Sequence, residues 1–144
     1  MRILNLIFLL LTFSLKSYQF DLEGTWQLVH VTGFDTFLER PESLNLTEEQ
    51  KINALVGLNY VLENTKYTFK GDSVFLANAG PNFTVHDWKG KFLLNEDTVS
   101  IFYQNKIGPT KLFISSLDHK KLKLKFVRER GLLGPTEMTF ERLE

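Results

Sequence analysis

The chain has no cysteine. That absence excludes disulfides, thiol nucleophiles, thiolate zinc sites and iron–sulfur clusters together. Net charge is missing too: 17 basic residues balance 17 acidic ones, so no basic excess points to a nucleic-acid partner. There is no Gly-x-Ser-x-Gly elbow, Ser-x-x-Lys, phosphate-binding glycine loop or HExxH, the short patterns that announce hydrolases, nucleotide binders and metalloproteases. No period of roughly 20–50 residues repeats, which argues against a solenoid or propeller. What is present is 144 residues, 43% of them hydrophobic, enough for one domain with a real core.

Residues 1–17 read as a removable signal peptide. Met1 and Arg2 precede an apolar run from Ile3 to Leu15, broken only by Asn5, Thr12 and Ser14. The run matches a signal-peptide core and falls short of the roughly 20 residues that span a bilayer. A short membrane anchor or an apolar first helix are the alternatives; a lipoprotein anchor is excluded for want of a cysteine. Cleavage near Ser14 or Ser17 predicts a secreted or periplasmic protein without a stable membrane anchor. With Arg2 and Lys16 gone, the mature net charge is −2. Export without disulfides means that packing alone must hold the domain, residues 18–144. Asn45-Leu46-Thr47 and Asn82-Phe83-Thr84 are glycosylation sequons only in a host that glycosylates exported proteins.

Along the mature chain, Gly24 to Thr32 is β-branched and aromatic and predicts a first strand. Thr47-Glu48-Glu49-Gln50 fits a capping box, opening one helix from Glu48 to about Leu62. Ile52, Leu55, Val56 and Tyr60 fall at helical spacing, and Leu58, Val61 and Leu62 widen that face. Such a width predicts packing against something large and apolar. From Lys66 onward, short alternating runs are separated by turn signals: Tyr67 and Phe69, Val74–Asn78, Val85–Leu94 with a kink or bulge at Gly90, Thr98–Gln104, Lys111–Leu117, Lys121–Phe126 and Thr136–Leu143. In Lys121–Phe126, lysines alternate with Leu122, Leu124 and Phe126, giving one wet and one dry side. The prediction is an all-β domain of about eight antiparallel strands, with one helix in the only long connection. Sequential hairpins favour an up-and-down β-barrel over a sandwich, and closure removes both open edges.

A Gly-x-Trp at the start of the first strand (Gly24, Trp26), a long first connection, a run of hairpins and an arginine on the last strand (Arg142) resemble the lipocalin-like proteins. The ending Met138-Thr139-Phe140-Glu141-Arg142 is similar to that of small exported lipocalin-like domains of bacteria. The resemblance covers roughly residues 20–144 and implies a calycin-type barrel that binds small apolar molecules in its lumen. It also implies that Trp26 supplies the ring on which Arg142 stacks at the closed end. An inward arginine requires a partner of that kind. The Thr-Asp-Tyr motif of the larger lipocalins is absent. A helix in the first connection is also similar to the fatty-acid-binding proteins, whose lid occupies the same place.

His30, His86 and His119 are the acid–base candidates near neutral pH. His30 alternates with Trp26 and Leu28, and His86 with Trp88, so both are expected to face the interior. No carboxylate–histidine spacing matches a metal motif, and an enzymatic reading would need His30 or His86 with a metal or haem. The residues therefore predict no catalytic group, no metal and no cofactor. Alternation assigns Trp88, Phe92, Leu94, Tyr103, Leu124, Phe126 and Phe140 to inward faces. The candidate lumen residues for an apolar ligand are Trp88, Phe92, Tyr103, Leu124, Phe126 and Phe140, with His86 and Tyr103 as polar handles. Gly24, Trp26 and Arg142 are expected to close the barrel. A barrel so lined either leaves a cavity or is filled, and each outcome has its function: a carrier of a small hydrophobic molecule, or a protein-interaction or inhibitor module working through its outer face or the Thr32–Glu49 loop.

Overall fold

The computed structural model describes residues 21–144; the segment read as a signal peptide lies outside them. Strand β1 (Gly24–Val31) is followed by two short 3-10 turns (Phe37–Glu39 and Pro41–Asn45) and helix α1 (Glu48–Asn64). Seven strands complete the chain: β2 (Lys66–Lys70), β3 (Ser73–Ala79), β4 (Val85–Asn95), β5 (Thr98–Tyr103), β6 (Thr110–Leu117), β7 (Lys121–Val127) and β8 (Leu133–Arg142). Each pairs antiparallel with its neighbour in sequence, and β8 returns to β1, so the sheet closes as an up-and-down barrel.

The period of two along each strand sends one set of side chains inside. Trp26, Leu28, Tyr67, Phe69, Val74, Leu76, Phe92, Val99, Ile101, Leu112, Ile114, Leu122, Leu124, Met138 and Phe140 form one continuous buried core. Three register shifts interrupt the ladders. The first, between Leu28 and His30, is a bulge that resets the alternation. Val31 then points inward, and both Val29 and His30 are exposed, which overturns the expectation that His30 faces the interior. The glycine expected to bend the fourth strand does something else. β4 runs through Gly90 without a register break, and a Cβ there would stand 2.5 Å from the Phe102 carbonyl oxygen. Glycine lets β5 approach closely. The last strand begins earlier than Thr136: Gly134 and Pro135 lie within β8, beside the third register shift.

Helix α1 begins as its sequence dictates. The Thr47 hydroxyl accepts from the Gln50 backbone N–H, and the Gln50 side chain accepts from the Thr47 N–H. Its packing is narrower than the apolar spacing suggests. Gly57 is buried against Pro81, and Val61 and Leu62 reach the core, but Ile52, Leu55 and Val56 are exposed. The Gln27 amide, on the outward face of β1, donates to the carbonyls of Leu62 and Thr65 and fastens the helix end to the barrel. Tyr60 meets Phe83 edge-on at 5.2 Å. The helix therefore sits over the β3–β4 turn at one rim, touching β1 and β3 and leaving the rim between β5 and β8 uncovered.

Candidate functional site

The barrel has unlike ends. At the end where β1 begins and β8 finishes, the Arg142 guanidinium lies 4.1 Å from the centroid of the Trp26 ring. Its nitrogens donate to the carbonyls of Glu23, Asp21 and His119, and Trp26 Nε1 donates to Leu22 O at 2.9 Å. Leu22 and Trp26 are fully buried. A cation whose three nitrogens each donate to a carbonyl and whose face lies on an indole carries little desolvation cost. This end is sealed by packing.

The middle of the lumen is filled with rings. Phe69 meets Phe92 edge-on at 5.2 Å, and Tyr67 and Phe140 are 4.7 Å apart. Of the lumen candidates, Phe92, Leu124 and Phe140 belong to this buried layer. The Tyr67 hydroxyl donates to Asn78 Oδ1 at 2.9 Å. Burial, reinforced by the nearby Tyr103, raises the Tyr67 phenol above its ordinary value, and it stays neutral.

Toward the opposite end the inward positions run out into water. Trp88 pairs with buried Leu76, Tyr103 with Gly90 and Phe126 with buried Leu112, so all three occupy inward positions. Yet Trp88 is 45% and Phe126 44% exposed, and Tyr103 is half-buried. The enclosed interior expected for Trp88 and Phe126 must therefore be corrected: they stand near strand ends, where no further layer covers them. His86 lies one residue pair closer to the rim than Trp88, opposite Asn78, and is exposed; it is not an interior group either. Trp88 and Tyr103 form a tilted pair at 5.5 Å, and the Lys106 ammonium stands 5.7 Å over the Tyr103 ring. Partial burial raises the Tyr103 phenol as well. The result is an aromatic mouth with Lys106, Tyr103 and Asn78 as polar groups beside apolar walls.

Sequence reasoning overlooked Asn78 and Lys106. Asn78 shares the alternation of Val74 and Leu76, which was a usable signal; Lys106 sits in a hairpin loop, where alternation says nothing. The three histidines are dispersed: His30 lies outside the barrel 3.8 Å from Asp35, His86 at the rim and His119 in the β6–β7 turn. Among the described residues no group of three or more His, Asp or Glu could hold a metal ion. The lysine row of β7 faces carboxylates of β8, with Lys121 3.8 Å from Glu141, Lys123 3.5 Å and Lys125 3.9 Å from Glu137. Two carboxylates thus offset most of the charge of three lysines across the strand pair.

Among solved structures, a lipocalin-like protein from Bacteroides uniformis is similar at 18% identity and a TM-score of 0.50, over 85% of this chain and 99% of that one. An uncharacterized protein from Bacteroides eggerthii is similar at 14% identity and a TM-score of 0.49, over 85% and 99%. A fatty acid-binding protein from the brain of Drosophila melanogaster aligns at 12% identity and a TM-score of 0.36, over 83% and 98%. No curated protein matches the chain. The model of the lipocalin-like domain family matches residues 22–124. With that match over most of the chain, and with a closed eight-stranded barrel sealed at one end by Trp26 and Arg142, this protein belongs to the lipocalin-like domain family.

Proposed function

We propose that this protein binds a small hydrophobic molecule in the mouth of the barrel lumen, above the ring layer that fills its middle, between Trp88, Tyr103 and Phe126. The observation that carries this reading is that Trp88 and Phe126 are exposed and Tyr103 half-buried on inward positions, at the end opposite the Trp26–Arg142 seal. Apolar walls with a few convergent polar groups are the usual composition of a ligand site, and Tyr103, Asn78 and Lys106 supply those groups. We read the protein as a binder and not an enzyme, because its histidines are dispersed and lie outside the lumen core. We also read it as secreted or periplasmic, on the strength of Arg2 and the apolar run Ile3–Leu15.

Native mass spectrometry of the protein from its own host tests both statements. The expected spectrum shows a chain beginning near Tyr18 with an adduct of roughly a few hundred daltons. In parallel, fatty acids, retinoids and tetrapyrroles are titrated while indole emission is followed. Trp88 should respond and Trp26, sealed beneath Arg142, should not, so Trp88→Phe removes the signal. An unliganded mass together with no binding at micromolar concentrations overturns the carrier reading. It would favour an interaction module instead, for which outward Phe75, Leu93 and Phe102, exposed beside Lys89 and Lys91, are the supporting feature.

A further inference from the structure

The tight turns at the two ends of the barrel differ in chemistry. At the sealed end they hold Gly71-Asp72, Glu96-Asp97 and Asp118-His119-Lys120, with no large apolar residue among them. At the mouth, the β5–β6 tip leaves Ile107 wholly in water (103% exposed) and the β7–β8 tip leaves Leu132 65% exposed. The same two tips bring Lys106, Arg128 and Arg130 together with Lys111 around one groove of about 490 Å³, in which Glu129 is the only acidic residue. Among the described residues, no ion pair engages any of these four cations.

We propose that these two hairpin tips dock the barrel on an anionic lipid bilayer, with Ile107 entering the interface and the four cations meeting lipid phosphates. Single exposed apolar residues are ordinary; a fully exposed one amid four cations that no carboxylate pairs is not. A bilayer interface satisfies both halves of this pattern, taking apolar side chains below the headgroups and cations among them. A soluble anion would satisfy the cations and leave Ile107 in water. Charge also sets the tilt. The opposite side of the mouth, built from the first connection, carries six acidic residues between Asp35 and Glu63 against Arg40 and Lys51, so it turns away from an anionic surface. The barrel then rests on its β5–β8 side with the mouth at the lipid. This docking is peripheral and reversible, and it stands independently of what the lumen holds.

The lack of cysteine makes the test direct. Ile107→Cys and, at the sealed end, Lys120→Cys each give a single attachment point for an environment-sensitive fluorophore. Both labelled proteins are mixed with vesicles of phosphatidylcholine alone or with roughly a third phosphatidylglycerol. The label at position 107 should shift to shorter wavelength only on the anionic vesicles, while the label at position 120 remains in water. Adding Arg128→Gln and Arg130→Gln should weaken that binding by roughly 25-fold, about fivefold for each cation removed, and added salt should reverse it. Lumen binding, titrated separately, should be unchanged, which separates failure here from failure of the carrier reading. The proposal is overturned if the label at position 107 stays in water on both vesicles, if both labels shift together, or if the double variant binds as before. It is equally overturned if glycerol phosphate occupies the groove and no vesicle binds, for the groove is then a site for soluble anions.

Discussion

Gly24 adopts φ = +129°, and a Cβ there would stand 2.5 Å from Arg142 Nη1. Both facts demand glycine: the backbone region excludes side chains, and the space above Cα belongs to a guanidinium that stacks on Trp26 and donates to three carbonyls. A methyl at this position strains the backbone and displaces Arg142 at once. Gly24→Ala should therefore cost about 2–3 kcal/mol, read as a lower urea midpoint without a change in slope. An effect within about 0.5 kcal/mol would show that Arg142 moves aside freely. The Gly-x-Trp and the terminal arginine thus form one unit, although 118 positions separate Gly24 from Arg142. Spacing along the chain contains no trace of that contact; the residues entered the reading through their resemblance to a family.

At the scale of elements, helix α1 depends on a glycine for a different reason. A Cβ on Gly57 would meet the Pro81 carbonyl oxygen at 2.6 Å, and a backbone oxygen has little freedom to yield. Alanine is the better helix former by about 1 kcal/mol, so propensity and packing oppose each other here. We expect packing to prevail: Gly57→Ala should lower the urea midpoint, whereas Asn53→Ala, on the exposed face of the same helix, should raise it. A rise in both would mean that the helix is not seated on the β3–β4 turn. Across the outer face of β6, β7 and β8, Glu137 accepts from Ser115 Oγ at 2.8 Å and lies near Lys123 and Lys125. The Ser115 hydrogen bond, aided by the two ammonium groups, holds its carboxyl below the usual carboxylate range. A carboxyl depressed in the folded state stabilises the fold above its unfolded value, near pH 4.3 for glutamate, and that stability is lost as the pH falls through the folded value. Ser115→Ala should raise the Glu137 titration midpoint seen by NMR. It should also cost under about 1 kcal/mol at neutral pH, a difference that shrinks in acid. A cost that grows on acidification would contradict this account.

At the scale of the whole molecule, the turns and loops that join neighbouring strands decide what is a wall and what is a mouth. Eight strands, their order, and a helix with a capping box are legible in the sequence because alternation, turn residues and caps are local. So is the face of each strand stretch that no bulge resets: Trp88, Phe92, Tyr103, Leu124, Phe126 and Phe140 share inward positions. Depth along the barrel axis is not local. Phe92 and Phe126 look alike to a period of two, yet one lies in the filled middle and the other half in water, because strand stagger and closure fix where the walls end. His30 shows the same limit in another form, since the bulge that turns it outward is set by pairing with β8. The clustering of Lys106, Ile107, Arg128 and Arg130 likewise arises only when two hairpins separated in sequence become neighbours at the rim. The sequence by itself determined the elements and, where no bulge resets the alternation, their inner faces, through interactions between residues a few positions apart. Which aromatics would line an open mouth only the closed sheet decided, because depth along the barrel depends on contacts that exist only after the last strand has met the first.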